Sequence, residues 1–149
     1  MITIDDATLA DIPALCDLLG LLFAQEADFT PDRAKQERGL RMILDDARVG
    51  AILVARDGRQ AIGMVNLLFT VSTAEGARAM LLEDMIVRPD HRGQGVGLKL
   101  IEAAIARATA TGCARITLLT DEDNNQAQWF YGRAGFRRSA MIPMRRAIP

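Results

Sequence analysis

Val87-Arg88-Pro89-Asp90-His91-Arg92-Gly93-Gln94-Gly95-Val96-Gly97 is the stretch on which the reading of this chain turns. It follows an apolar run and opens a segment with apolar residues at helical spacing, Leu100, Ile101, Ala104, Ile105 and Ala108. It therefore reads as a strand, a glycine-rich turn and a helix. A helix N-terminus leaves backbone N–H groups without intrahelical partners and carries a partial positive charge. Glycines immediately before it let the backbone turn tightly and come close to a ligand. The combination predicts a site for a phosphate or pyrophosphate. The alternating Gly93, Gly95 and Gly97 do not match the G-x-G-x-x-G of dinucleotide folds, and no Gly-Lys-Ser/Thr of a nucleotide-triphosphate loop is present.

Upstream of the loop, the pattern is antiparallel. Residues 51–55 read as a strand, Asp57-Gly58 as a hairpin turn, 61–71 as the returning strand and 79–87 as a third, after a turn around Gly76. Before them, Ile2 and Ile4 mark a short first strand. Thr8 and Asp11 form the ends of a capping box for a helix whose apolar stripe is Ile12, Leu15, Leu18, Leu19, Leu22 and Phe23. Thr30-Pro31 reads as the N-cap and first position of a second helix reaching about Asp46. Downstream, Gly112 ends the loop's helix. Residues 115–120 show no polar alternation and predict a central strand buried on both faces. Asp123 or Asn124 caps a short helix to Arg133, and 136–145 is expected to hold a final strand or pair of strands. Together these predict an α/β (α+β) chain: one domain over residues 1–149, with a mixed, mostly antiparallel sheet of six to seven strands and helices on both faces.

Bulk properties narrow the function. With 149 residues, half of them apolar and a quarter charged, the chain is long enough for one core without disulfide or metal. A net charge of −1 gives no basic face for nucleic acid. Cys16 and Cys113 have no metal-ligand spacing, so no metal is expected. No apolar run is long enough to span a bilayer, and the acidic start is unlike a signal peptide. A cytoplasmic protein without a membrane partner is the expectation.

The loop Arg92-Gly93-Gln94-Gly95-Val96-Gly97 resembles the Arg/Gln-x-x-Gly-x-Gly/Ala loop of the GNAT superfamily of N-acetyltransferases. Leu82-Glu83-Asp84-Met85-Ile86-Val87-Arg88-Pro89 resembles that family's fourth strand. Asn124-x-x-Ala127-x-x-Phe130-Tyr131, closing with Gly135-Phe136, resembles its C-terminal motif. The likeness is close over residues 80–137 and rests on element order alone over 1–78. It implies acetyl-CoA as cofactor, entering where the fourth and fifth strands splay apart. It implies that backbone groups of Met85, Ile86 and Val87 pair with the pantetheine arm, that the amides of Arg92, Gly93, Gln94, Gly95, Val96, Gly97 and Leu98 hold the pyrophosphate, and that Asn124 contacts the cofactor. The acetyl group would pass directly to an amine in a ternary complex.

That transfer needs a base, because a free alkylamine is mostly protonated at neutral pH. Glu83 and Asp84 are adjacent acids in an otherwise apolar strand. Strict alternation would set Glu83 on the face of Met85 and Val87 and Asp84 on the other. Glu83 is the expected general base. Tyr131 stands at the family's general-acid position, protonating the departing sulfur and lying beside the cofactor. Asp84, Glu26 and Asp28 are candidate contacts for a cationic acceptor, and acidic Glu75 is a further one. His91, the only histidine, reads as a neighbour of the phosphate loop. The acceptor is a small-molecule or peptide amine of open identity. The competing reading is a non-catalytic acyl-CoA-binding or sensor domain of the same fold. A homodimer through Met141–Met144 rests on analogy with relatives.

Overall fold

Alternating and continuous apolar runs order this chain into a sheet, and where each run falls decides which side chains meet. In the computed structural model, which describes residues 1–25 and 30–149, the chain forms two compact units, Met1–Leu119 and Thr120–Pro149. Glu26 and Asp28 lie outside the described residues.

The first unit runs β1 (Ile2–Asp6), α1 (Ile12–Ala24), α2 (Arg33–Leu44), β2 (Gly50–Asp57), β3 (Gln60–Ser72), β4 (Ala77–Val87), α3 (Val96–Ala110) and β5 (Cys113–Leu118). The strands form one sheet in the order β1-β2-β3-β4-β5. The first three pairings are antiparallel and β4–β5 is parallel. The mixed, mostly antiparallel sheet is as expected, but it has five strands among the described residues rather than six to seven. No strand forms over 136–145. Pro143 lacks a ladder donor, and Arg137, Arg138, Arg145 and Arg146 interrupt any apolar alternation. Met141, Ile142 and Met144 are exposed there. β5 is consequently an edge strand, and alternating half-buried and exposed positions replace the two buried faces expected of it. The strand buried on both faces is β3, whose residues 62–67 are all inaccessible.

Helices cover both faces of this sheet. Ile12, Leu15, Cys16, Leu18 and Leu19 of α1 and Leu40 of α2 pack with Ile52, Val54, Met64 and Ile86 on one side. On the other, α3 buries Val96, Leu100, Ile101, Ala104 and Ala108. A Cβ at Gly63 would come within 3.0 Å of the Ile86 carbonyl oxygen and 3.3 Å of the Leu100 side chain, so the glycine leaves room for the β4 backbone and for α3. Arg56 of β2 makes two 2.9 Å bonds to the Asp11 carboxylate and one of 3.2 Å to Asp5, tying β1, the start of α1 and β2 together. The Arg56 guanidinium holds the Asp11 carboxyl below its ordinary range.

Local signals were read correctly at several ends and missed at one. The Thr8 N–H donates to Asp11 Oδ2 at 2.8 Å, as the capping box requires. Gly112 takes φ +76° after α3. The N-cap of α2 is Asp32, not Thr30, and its carboxylate accepts from the Lys35 N–H at 3.2 Å. Asp caps as well as Thr or better, so the helix starts at Arg33, two residues beyond Pro31. Asp32→Ala is expected to cost about 1 kcal/mol. Differential scanning calorimetry should read that as a fall in Tm of roughly 2–4 °C.

The second unit contains α4 (Asn125–Arg133). The Asn124 side-chain oxygen caps it, accepting from the Ala127 N–H at 3.1 Å. Gly135 turns the chain at φ +95°, and the Phe136 N–H returns to the Tyr131 carbonyl at 3.1 Å.

Candidate active site

The turn between β4 and α3 is built by its glycines. The Arg88 N–H still bonds the Ile62 carbonyl at 2.7 Å, and then Pro89–His91 forms a single tight turn. Gly93 has φ +76° and Gly95 φ +79°, both left-handed, so a side chain at either is strained whatever the space. A Cβ at either would meet nothing within 4 Å. The backbone turn, and not crowding by neighbours, demands glycine there, and the room beside it is open to a ligand. The Lys99 N–H to Gly95 carbonyl bond, 3.1 Å, is the first α3 bond. The amides of Val96, Gly97 and Leu98 therefore lie ahead of the helical ladder, at its positive end.

Side chains around the turn hold it in place. Arg92 Nε donates to the Val87 carbonyl at 3.2 Å. His91 sits between two carboxylates, Nδ1 3.0 Å from Asp90 and Nε2 3.4 Å from Asp57. The histidine thus steadies the approach to the loop against the β2–β3 turn.

The neighbouring edge of β4 is the second component. β4 pairs with β5 only from Arg78 to Leu82, opposite Cys113 to Leu118. The register shared with β5 ends at Leu82, opposite Leu118, while pairing with β3 continues to Val87. The residues expected to receive an extended ligand arm follow the end of that parallel register. Met85, Ile86 and Val87 all lie in this stretch.

The acids lie differently from the expectation. Asn66 opposes Glu83 and Met64 opposes Ile86, so β4 carries one more residue than β3 across this interval. That is a β-bulge, and Asp84 within it has φ +51° as the one non-glycine with positive φ among the described residues. Directly opposed residues share a face. Glu83 therefore shares the face of Asn66 and Ile86 rather than that of Met85 and Val87, and alternation fails because the bulge resets it. Nor does Asp84 point away: its carboxylate accepts from Asn66 Nδ2 at 2.8 Å. Glu83 is exposed, Asp84 is half-buried and Asn66 is buried.

Burial pushes the Asp84 carboxyl above its ordinary value, with the Asn66 hydrogen bond opposing part of that rise. A raised carboxyl pKa means the folded state binds the proton more tightly than the unfolded chain. Its stability contribution falls as pH climbs from about 4. Asp84→Asn removes the charge and keeps a residue type that tolerates left-handed backbone. Thermal melts should show the variant more stable at pH 7, by on the order of 1 kcal/mol. The gain should vanish below about pH 4, where both carboxyls are neutral.

In the second unit, the Tyr131 ring meets Phe130 and Phe136 edge-on, at centroid distances of 5.3 and 5.8 Å. Burial pushes its phenol above the ordinary value, so it carries its proton at neutral pH. Asn124 uses its oxygen as the α4 cap. Among the described residues, no three or more His, Cys, Asp or Glu side chains gather as a metal site, and no helix is long and apolar enough to cross a membrane.

The residue that sequence reasoning passed over is Asn66. Its signal was available: one amide in a run of apolar residues, Ile62 to Leu68, that had been read as a strand. A buried amide there requires partners.

Comparison with known proteins agrees with this geometry. The model of the acetyltransferase (GNAT) family matches residues 13–136. An N-acetyltransferase of Bacillus subtilis, YhfO, is 33% identical over 85 residues, 57% of each chain. A thialysine N-epsilon-acetyltransferase of Bos taurus is 35% identical over 78 residues, 52% of this chain and 45% of that one. The matched stretch thus spans about half the length of these curated relatives. Among solved structures, an integron cassette protein from a salt-marsh metagenome superposes with a TM-score of 0.86 at 24% identity, covering 98% of this chain and 90% of that one. The glucosamine-6-phosphate N-acetyltransferase of Arabidopsis thaliana gives 0.79 at 18%, covering 100% and 99%, a likeness of fold alone. Because the family model runs unbroken from α1 through the glycine turn and α4, this chain belongs to the acetyltransferase (GNAT) family.

Proposed function

We propose that the protein transfers the acetyl group of acetyl-CoA to a primary amine of a small molecule or peptide, directly and in a ternary complex. The observation carrying this reading is the left-handed pair Gly93 and Gly95, opening onto the α3 N-terminus just after the end of β4. The open space at both glycines fits a diphosphate. The amides of residues 92–98 would hold that diphosphate, and the Met85–Val87 edge would pair with the pantetheine amides. Asn124, whose oxygen caps α4, would contact the same arm through its remaining amide group.

The bound thioester supplies an electrophilic carbonyl. Glu83 takes a proton from the acceptor's ammonium, directly or through a water, so that nitrogen has a lone pair to form the new C–N bond. Tyr131 would donate the proton that the departing sulfur needs, and the second proton, shed by the nitrogen once the C–N bond has formed, would restore the phenol. Burial supports that role by keeping the phenol protonated. The thialysine N-epsilon-acetyltransferase among the relatives supports starting a panel of acceptors with amino-acid amines.

The test has two stages. Titration calorimetry should detect coenzyme A and acetyl-CoA binding at one site per chain. Incubation with acetyl-CoA and the amine panel should then release free thiol in step with one amine. No heat with either form of the cofactor would overturn the reading, and binding without thiol release would assign the chain as an acyl-CoA-binding domain.

A further inference from the structure

The β3–β4 bulge holds an arrangement whose hydrogen bonds do not close. Asn66 is 4% exposed, in the middle of the most buried strand. Its Nδ2 donates to Asp84 Oδ2 at 2.8 Å, which orients the amide because a carboxylate offers only acceptors. The same orientation leaves Asn66 Oδ1 buried with no hydrogen-bond partner among the described residues. A native fold rarely keeps a buried acceptor unsatisfied, so such an atom marks an absent donor. Asp84 gives a second, independent sign. It is the one non-glycine residue in left-handed backbone among the described residues, and the strain sets a half-buried carboxylate against this amide.

The chemistry of the missing group follows from what the site offers. One amide oxygen and one carboxylate are acceptors, and the carboxylate is an anion. A carboxylate or phosphate ligand would be repelled, and a hydroxyl brings a single hydrogen and no charge. A primary ammonium brings up to three N–H donors and the complementary charge. The location agrees, for Asn66 is the cross-strand partner of Glu83 and shares the face of Met64, against α1 and α2.

We propose that Asn66 Oδ1 and the Asp84 carboxylate together seat the amino group of the acceptor, next to Glu83. This assignment rests on the acetyltransferase reading above and deepens it. Asn66 acts twice, holding the Asp84 carboxylate with its Nδ2 and receiving the substrate with its oxygen. A cationic amine is thereby preferred over an isosteric alcohol.

The test reads the Asn66 side chain itself, so it needs no knowledge of the natural acceptor. Coenzyme A-saturated protein, labelled with ¹⁵N, is titrated with n-butylammonium chloride at constant ionic strength, and n-butanol serves as the uncharged control. The Asn66 side-chain amide resonances should shift saturably with the ammonium and not with the alcohol. In Asp84→Asn the apparent affinity should fall at least tenfold, while coenzyme A affinity stays within twofold. Asn66→Leu, which keeps the volume and removes the acceptor oxygen, should lose ammonium binding, followed through the backbone amides of residues 83 and 84. Equal shifts from butanol, no shift at all, or an unchanged affinity in Asp84→Asn would each overturn the proposal and leave Asn66 Oδ1 to an ordered water. Calorimetry separates the two failures. Coenzyme A heat without an ammonium response sinks this assignment alone, and absent coenzyme A heat sinks the parent reading.

Discussion

Gly95→Asp is expected to abolish measurable coenzyme A binding. Two independent effects point the same way. Gly95 sits at φ +79°, where any side chain strains the turn that delivers the chain into α3. The new carboxylate would also place a negative charge at the site meant for a diphosphate, at the end of the helix where an anion ligand is otherwise favoured. Because a Cβ at this position meets nothing within 4 Å, the protein should still fold, with only the strain to lower its Tm. Titration calorimetry should show affinity weakened by roughly a hundredfold or more, which corresponds to about 3 kcal/mol. Gly95→Ala separates the two effects, because it introduces the strain without the charge and should fall between wild type and the aspartate. Retained affinity in the aspartate variant would place the diphosphate elsewhere.

The second large effect is expected at Glu83. Glu83→Gln keeps the size and hydrogen-bonding capacity of the side chain and removes its ability to take a proton. Turnover should fall by roughly 10²-fold, the usual lower range for loss of a general base. Coenzyme A affinity, set by backbone amides of the loop and of β4, should stay within twofold. The sign of the pH effect is definite. A base works only when deprotonated, so wild-type turnover rises from acid pH; the glutamine variant should lose that limb and follow only the deprotonation of the amine itself, near 10.4 for a free alkylamine. Unchanged turnover in the variant would remove Glu83 from the mechanism. Glu83 lies on the face of Asn66, so Asp84→Asn is the natural companion. It should add stability and lose acceptor affinity, a trade expected where a strained, half-buried acid serves function.

The legibility of the chain divides along the range of the forces involved. Signals carried by a few consecutive residues were readable. Gly58 turns the β2–β3 hairpin at φ +61°, Thr8 and Asp11 bond across the start of the first helix, and Gly93 and Gly95 adopt left-handed backbone. Where two residues competed for one local role, as Thr30 and Asp32 did for the α2 cap, the sequence order alone did not choose between them. Residues 115–120 show the next limit. Apolar content marks a strand but not its neighbours, and β5 lies at the sheet edge because no further strand pairs beside it among the described residues.

By itself the sequence determined that a glycine-rich turn precedes a helix N-terminus, that this turn follows a strand bearing paired acids, and that the flanking motifs are those of an acetyltransferase. Each of these depends on backbone conformation within a few residues, which side-chain type governs directly. Only the tertiary structure decided which way the acids face and what they meet. The pairing of Asn66 with Glu83 and Met64 with Ile86 inserts a bulge that no count along β4 reveals. It turns Asp84 onto an amide eighteen positions away in the chain, and leaves the oxygen of that amide without a donor among the described residues. Strand register is fixed by the burial of whole faces against α1, α2 and α3, a sum over distant side chains that no local window contains.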